Sequence, residues 1–247
     1  MEDTQLLRYS RHLFLPQIEA AGQSRLLDAR VLVVGLGGLG SACAMYLASA
    51  GVGTLHLNDF DRVEISNLQR QVIHDTDGLG LSKTESARRR LNALNPDVRL
   101  QVHDGVLDEA TLLELLQSVD LVADCSDNFQ TRFLLNRCSF KARRPLVSGA
   151  AIRFEGQLAV FNPANPLSPC YNCLYTEETM VDANCSQNGV IAPLPGIVGA
   201  MQALESIKLL ALPRYQPEGQ LFLFDAMSMD WHRLRLDRNP RCPTCAP

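Results

Sequence analysis

The 247-residue sequence predicts an α/β fold: a Rossmann-like, doubly wound, mostly parallel sheet with an antiparallel C-terminal part and a structural zinc site. Three observations carry this. Strand-like and helix-like stretches alternate from residue 30 to residue 150, the pattern of βαβ units around a parallel sheet. The first unit opens on a glycine turn, with Gly35, Gly37 and Gly40 in G-x-G-x-x-G spacing. Two C-x-x-C pairs, Cys170 with Cys173 and Cys242 with Cys245, fall where the alternation has stopped.

Taken in order, residues 1–29 read as one or two helices with an apolar stripe through Leu6, Leu7, Leu13 and Leu15, broken or bent at Pro16. Residues 31–34 (VLVV) are a strand, 41–50 a helix ended by Gly51, and 54–58 a second strand that delivers Asp59. Residues 83–94 are a helix stopped by the Asn95-Pro96 pair. Strands at 98–102, 121–125 and 146–148 alternate with helices at 108–117 and 129–142. Beyond 150 the rhythm changes. Residues 157–161 are strand-like, 162–196 are rich in Pro, Asn, Cys and Gly and read as a long loop, a helix lies near 199–210, and 221–224 and 232–236 are strands expected to run antiparallel. Loops of that length in compact domains are usually functional or disordered. The chain reads as a single domain over 1–247: N-terminal helices (1–29), a nucleotide-binding half (30–150) and a C-terminal half (151–247) with another task.

Composition narrows the function. A chain that is 46% hydrophobic and 20% charged has enough apolar content for a sizeable core. A net charge of −4 gives no electrostatic footprint for nucleic acid. No apolar run approaches the length of about 18 residues that suggests a membrane span. The N-terminus, MEDTQLLRYS, is polar and acidic, unlike a secretory signal, so a cytoplasmic location is expected. Eight cysteines there argue against a disulfide framework. Four thiolates in two C-x-x-C knuckles suit tetrahedral zinc, so Cys170, Cys173, Cys242 and Cys245 are expected metal ligands. Four sulfurs leave no position open for water, which makes the metal structural, a staple holding the chain end to the domain.

The glycine turn brings backbone N–H groups up to a phosphate at a helix N-terminus, where the helix dipole favours anions. Asp59 follows the turn at the distance of a carboxylate that binds ribose hydroxyls. Arg70 and Lys83 lie past the second strand, and Asp127 and Asn128 past the strand at 121–125, at the carboxyl ends where open α/β sheets bind ligands. An Asp there suits Mg²⁺ on phosphates, and either residue also suits the N-cap of the next helix. Arg and Lys at these places fit triphosphate charge better than a redox dinucleotide. Cys185, set among Asn184, Ser186, Gln187 and Asn188, is a candidate accessible nucleophile. The five histidines are scattered and form no paired motif, so no histidine-based mechanism is expected.

With these residues assembled, the chain resembles the MoeB/ThiF/HesA family, relatives of the ubiquitin-activating enzymes. The likeness runs from about residue 5 to 245. It rests on RYSRH from Arg8, GLGGLG from Gly35, DFDRVEISNLQRQ from Asp59 and GLSKTESA from Gly80. Further along it rests on DCSDN from Asp124, VSGAAIRFEGQ from Val147, CYNC, NGVIAPLPGIVGAMQALESIKLL and the terminal CPTC. The resemblance implies ATP and Mg²⁺ as cofactors and adenylation of the C-terminal Gly-Gly carboxylate of a small ubiquitin-fold sulfur carrier. It places Gly38, Asp59, Ser66, Asn67, Leu68, Gln69, Arg70, Lys83, Asp127 and Asn128 at the nucleotide, and makes Arg11 an arginine lent across a homodimer. The four knuckle cysteines match zinc ligands, and Cys185 matches a loop cysteine that in some members links covalently to the carrier. The C-terminal half then becomes the carrier-binding and zinc half, and the sulfur donor is a separate protein of cysteine desulfurase or rhodanese type.

The segment 147–157 resembles the molybdopterin-pathway branch, whereas 184–190 and 224–231 resemble the thiamine-pathway branch. Adenylation of a molybdopterin-pathway carrier is the leading expectation, with the thiamine-pathway carrier as the alternative. An NAD-dependent oxidoreductase and a non-catalytic scaffold are competing readings of a different class.

Overall fold

In the computed structural model, which describes residues 1–176 and 189–246, one eight-stranded sheet runs through both halves of the chain. Its strands are β1 (Arg30–Val34), β2 (Thr54–Asp59), β3 (Arg99–Asp104), β4 (Leu121–Asp124), β5 (Leu146–Ile152), β6 (Glu155–Phe161), β7 (Gln220–Asp225) and β8 (Asp230–Arg235). They lie in the order β3-β2-β1-β4-β5-β6-β7-β8. The first five are parallel, and β6, β7 and β8 are added antiparallel. Because β1 pairs with both β2 and β4, the winding direction reverses between β1 and β4. That reversal opens a crevice at the strands' carboxyl ends.

Side chains of a strand alternate between faces, and β1 shows why its apolar run is continuous. Val31 and Val33 enter a core with Leu47 of α4 (Gly38–Ser49), Leu91 of α5 (Lys83–Leu94) and Val198 of α9 (Pro193–Ala211). Leu32 and Val34 enter the opposite core with Leu112 and Leu116 of α6 (Glu109–Gln117) and Phe133 and Leu135 of α7 (Phe129–Ala142). Both faces are therefore dry. Three of these helices begin on a side-chain cap: Ser82 accepts from Glu85 N–H at 3.3 Å, Asp108 from Thr111 N–H at 2.8 Å, and Asn128 from Thr131 N–H at 2.9 Å. Helix α4 has no such cap.

The structure departs from the sequence reading in three places. The N-terminus forms three short helices, α1 (Asp3–Arg8), α2 (Ser10–Leu13) and α3 (Glu19–Asp28), with Pro16 in the break before α3. The Leu6, Leu7 and Leu15 stripe stays exposed. Buried Tyr9 anchors this region, its hydroxyl accepting from Asn95 Nδ2 at 2.9 Å. A single aromatic with a hydrogen-bonding tip docks the segment where leucine periodicity suggested a stripe.

Second, the expected loop 162–196 contains a one-turn helix, α8 (Tyr171–Leu174), and α9 starts at Pro193, six residues before Gly199. Pro193 is the first helical residue, where a missing N–H costs nothing and the fixed φ already suits the helix. Third, α9 is a 19-residue helix long and apolar enough by composition to cross a membrane, although the sequence was expected to hold no such run. Half of it is buried, and Leu194, Val198 and Ala203 join the core shared with α4 and the sheet.

Candidate functional site

A cavity of about 520 Å³ occupies the crevice at the β1/β4 reversal. Its floor is the glycine turn. Gly35 has φ +88°, a left-handed conformation that an L side chain rarely adopts, and a Cβ there would lie 2.6 Å from the Cys125 carbonyl oxygen. At Gly38 the constraint is proximity, since a Cβ would stand 2.7 Å from Pro195 Cβ on α9. With no side-chain cap on α4, its first-turn N–H groups face the cavity, an arrangement ready for an anion.

Asp59 ends β2, nearly buried at the cavity wall. Its Oδ2 accepts from Leu36 N–H at 2.7 Å and its Oδ1 from Asp61 N–H at 2.9 Å. The carboxylate thus ties the glycine turn to β2, and each oxygen keeps a lone pair for a hydroxyl donor. His74 braces the same turn from behind, its Nε2 3.0 Å from the Leu36 carbonyl and its Nδ1 2.9 Å from Ser86 Oγ. Burial pushes the His74 pKa down. None of the five histidines lines the cavity, in line with the absence of a histidine motif.

Between β2 and α5 the chain makes an excursion closed by a narrow neck. Val63 N–H donates to Leu81 O at 2.9 Å, Gly80 N–H to Val63 O at 2.9 Å, and Lys83 N–H to Asp61 O at 3.0 Å. Ser66, Asn67, Leu68 and Gln69 lie on the outer part of this excursion and do not line the cavity. Asn67 Oδ1 closes its own turn by accepting from Glu64 N–H at 3.1 Å. Arg70 and Gln71 do line the cavity. Lys83, the first residue of α5, is buried, and its Nζ is 2.7 Å from Asp61 Oδ2 at the cavity wall.

On the β4 side the acidic residues divide their roles. Asp124 is occupied internally: Oδ1 accepts from Ser126 Oγ at 2.6 Å and Oδ2 from Ser148 Oγ at 2.8 Å. Asn128 caps α7. Asp127, exposed and lining the cavity, keeps its carboxylate available for a cation. Cys125 lies on the floor, but burial raises its thiol pKa well above the ordinary value, which suits packing and not attack.

Sequence reasoning missed much of the cavity. Phe60, Val106 and Leu107 make an apolar wall beside Asp59. Residues 106–107 follow the carboxyl end of β3, so the rule that singled out Asp127 also pointed to them. Beyond the glycine turn the cavity continues along the β5–β6 hairpin, past Ala150, Ala151 and Gln157 to Tyr175, whose hydroxyl donates to Gln157 Oε1 at 2.7 Å. No sequence signal marked that extension. Arg11 sits exposed on α2 and lines no part of its own chain's cavity. Cys185 lies outside the described residues.

The four knuckle cysteines line no part of this cavity, although Tyr171 between the first two does. All four Sγ atoms lie within 4.8 Å of one another, with Cys170–Cys242 and Cys173–Cys245 both at 3.4 Å. Four sulfurs about 2.3 Å from a shared zinc stand roughly 3.8 Å apart, so the cluster fits a tetrahedral ion. Two polar groups donate to the sulfurs: Asn239 N–H to Cys173 Sγ at 3.3 Å and Asn136 Nδ2 to Cys170 Sγ at 3.6 Å. Asn136 also holds the knuckle, donating to Asn172 Oδ1 at 2.9 Å and accepting from Tyr171 N–H at 2.9 Å.

The sequence profile of the ThiF family matches residues 9–244. The chain is 46% identical over 245 residues to a molybdopterin-synthase adenylyltransferase of Escherichia coli (strain K12), covering 99% of this chain and 98% of that protein. It is 42% identical over 245 residues to a sulfur carrier protein ThiS adenylyltransferase of the same organism, covering 99% and 97%. Among solved structures, E. coli MccB with ATP superposes with a TM-score of 0.79 at 23% identity, over 91% of this chain and 69% of that one, a likeness of fold alone.

Proposed function

Since the chain belongs to the ThiF family, we propose that it is an adenylyltransferase that activates the C-terminal Gly-Gly carboxylate of a ubiquitin-fold sulfur carrier for molybdopterin synthesis. The observation that carries this reading is the continuous cavity. At one end Arg70 lies beside Gly38 at the uncapped N-terminus of α4 and Lys83 lines the wall, and at the other the cavity extends past Ala150 and Ala151 of the β5–β6 hairpin. The first part suits a triphosphate and the second an extended glycine-ended tail.

In this reading the adenine lies against Phe60, Val106 and Leu107, and Asp59 accepts from the ribose. The first-turn amides of α4, Gly38 included, cradle the phosphates. Ser66, Asn67, Leu68 and Gln69 support Arg70 from the excursion, and Asn128 fixes the start of α7 beside Asp127. The tail carboxylate attacks the α-phosphorus, forming a C–O–P bond while the bond to pyrophosphate breaks. A carboxylate is already a nucleophile, so no general base is required, which agrees with the lack of a histidine in the cavity. Like-charge approach is the barrier, and fixed cations with in-line positioning lower it. Mg²⁺ held by Asp127 would supply further neutralisation of phosphate charge when bound. Zinc on Cys170, Cys173, Cys242 and Cys245 would pin the C-terminal segment to α8 and, through Asn136, to α7.

In the same reading Arg11, which lines no part of its own chain's cavity, serves the nucleotide of a second copy, so a homodimer belongs to the proposal. So do a cytoplasmic location, a separate sulfur donor and the division into a nucleotide half (30–150) and a carrier half (151–247). The role of Cys185 as a covalent link to the carrier remains part of the same proposal. The thiamine-pathway carrier is the alternative substrate. Incubation with ATP, Mg²⁺ and each candidate Gly-Gly carrier, followed by intact-mass spectrometry, is expected to show an AMP adduct on the molybdopterin-pathway carrier. An adduct only on the thiamine-pathway carrier would reassign the pathway, and none on either would refute the activity.

A further inference from the structure

One cavity residue has a charge opposite to what its surroundings call for. Asp61 lines the cavity with its side chain 50% exposed, close to where a polyanionic nucleotide would lie. An unneeded carboxylate there would repel the phosphates. Its neighbour explains it. The Lys83 side chain is only 7% exposed, and its ammonium pairs with Asp61 at 2.7 Å. A buried ammonium without a counter-ion is strongly disfavoured, so some anion must accompany Lys83 before a nucleotide arrives. The backbone enforces the pairing, because Lys83 N–H donates to the Asp61 carbonyl at 3.0 Å and closes the neck of the excursion. The two side chains are thereby held together at the point where the excursion joins α5.

We propose that Asp61 is a positioning residue, a placeholder counter-ion that holds the Lys83 side chain at the cavity wall, yields it to the phosphates on binding, and takes it back when pyrophosphate leaves. This rests on the reading that the cavity takes a nucleoside triphosphate. Binding must then break the Lys83–Asp61 contact, so Asp61 weakens nucleotide and pyrophosphate affinity in return for a pre-set lysine and faster release.

The test is calorimetric titration of the full-length protein with MgATP and, separately, with magnesium pyrophosphate. Asp61→Asn keeps the size and the backbone carbonyl of the residue and removes only the charge. It is expected to tighten both ligands by about fivefold, the scale of one partly screened charge contact. A merely structural role predicts no gain in affinity. Asp61→Glu, which restores the charge, is expected to return affinity to the wild-type value. In a Lys83→Met background the gain from Asp61→Asn is expected to fall below about twofold, because no ion pair is left to break.

Unchanged or weaker binding by Asp61→Asn overturns the proposal. So does a gain as large or larger in the Lys83→Met background, which would mean simple repulsion. If the wild-type protein takes up no triphosphate, the nucleotide reading itself falls and the role of Asp61 falls with it. If the wild type binds and Asp61→Asn binds no tighter, only the role of Asp61 falls.

Discussion

Carrier-dependent ATP–pyrophosphate exchange is expected to fall by about 10²-fold or more in Lys83→Ala and in Arg70→Ala, the scale of losing one fixed group that stabilises charge in a transition state. The two residues reach the cavity by different routes. Lys83 is the first residue of α5, directly after the Ser82 cap, with its stem buried and its ammonium on Asp61. Arg70 stands on the excursion, its Nη1 3.2 Å from the Ser66 carbonyl and its stem beside the glycine turn. Lys83→Met, which keeps the buried stem, is expected to lose exchange to the same degree as Lys83→Ala with an unchanged melting temperature. Exchange at the wild-type rate in either alanine variant would remove that residue from the mechanism. Lost exchange with a collapsed melting curve in every Lys83 variant would assign the lysine to folding.

The second large effect is on stability. Replacing Cys242 by Ser, or extracting metal with a strong chelator, is expected to lower the melting temperature by about 10 °C. Losing a cross-link across a long loop costs about 3 kcal/mol, and in a domain of this size 1 kcal/mol corresponds to roughly 2–4 °C. The cluster joins sequence-distant segments: Cys170 is the residue before α8 and Cys173 lies within it, while Cys242 and Cys245 sit at the chain end, with Asn239 and Thr244 bonded into the same knuckle. Adenylation should persist below the lowered melting point, since the cysteines lie outside the cavity lining. Elemental analysis finding no zinc in the purified protein, together with an unchanged melting temperature in Cys242→Ser, would contradict the staple.

Much of this architecture was legible because local chemistry and tertiary demand agree. The helix at 83–94 was bounded correctly because Ser82 caps one end and Asn95-Pro96 forbids continuation at the other. The strands buried on both faces announced themselves as unbroken apolar runs. Asp59 was found from its distance after the glycine turn, and Arg70, Lys83, Asp127 and Asn128 from the rule that ligands gather at the carboxyl ends of parallel strands; all five share a cavity. The illegible parts depend on long-range packing. Tyr9 docks through Asn95, 86 residues away, and no periodicity encodes that bond. The extension along the β5–β6 hairpin is lined by Ala150, Ala151 and Gln157, ordinary residues whose role comes only from their position. Ser66, Asn67, Leu68 and Gln69 show the opposite case. The motif marks them together, yet the geometry brings only the neighbouring Arg70 and Gln71 to the cavity wall.

In the proposed reaction a carrier's terminal carboxylate attacks the α-phosphorus of ATP in this cavity. A carrier whose terminal carboxylate is labelled with heavy oxygen tests it directly, once the activated tail is cleaved at its carbonyl by hydroxylamine. Released AMP is expected to bear one labelled oxygen from the carrier. Unlabelled AMP, with all the label retained on the carrier, would contradict it.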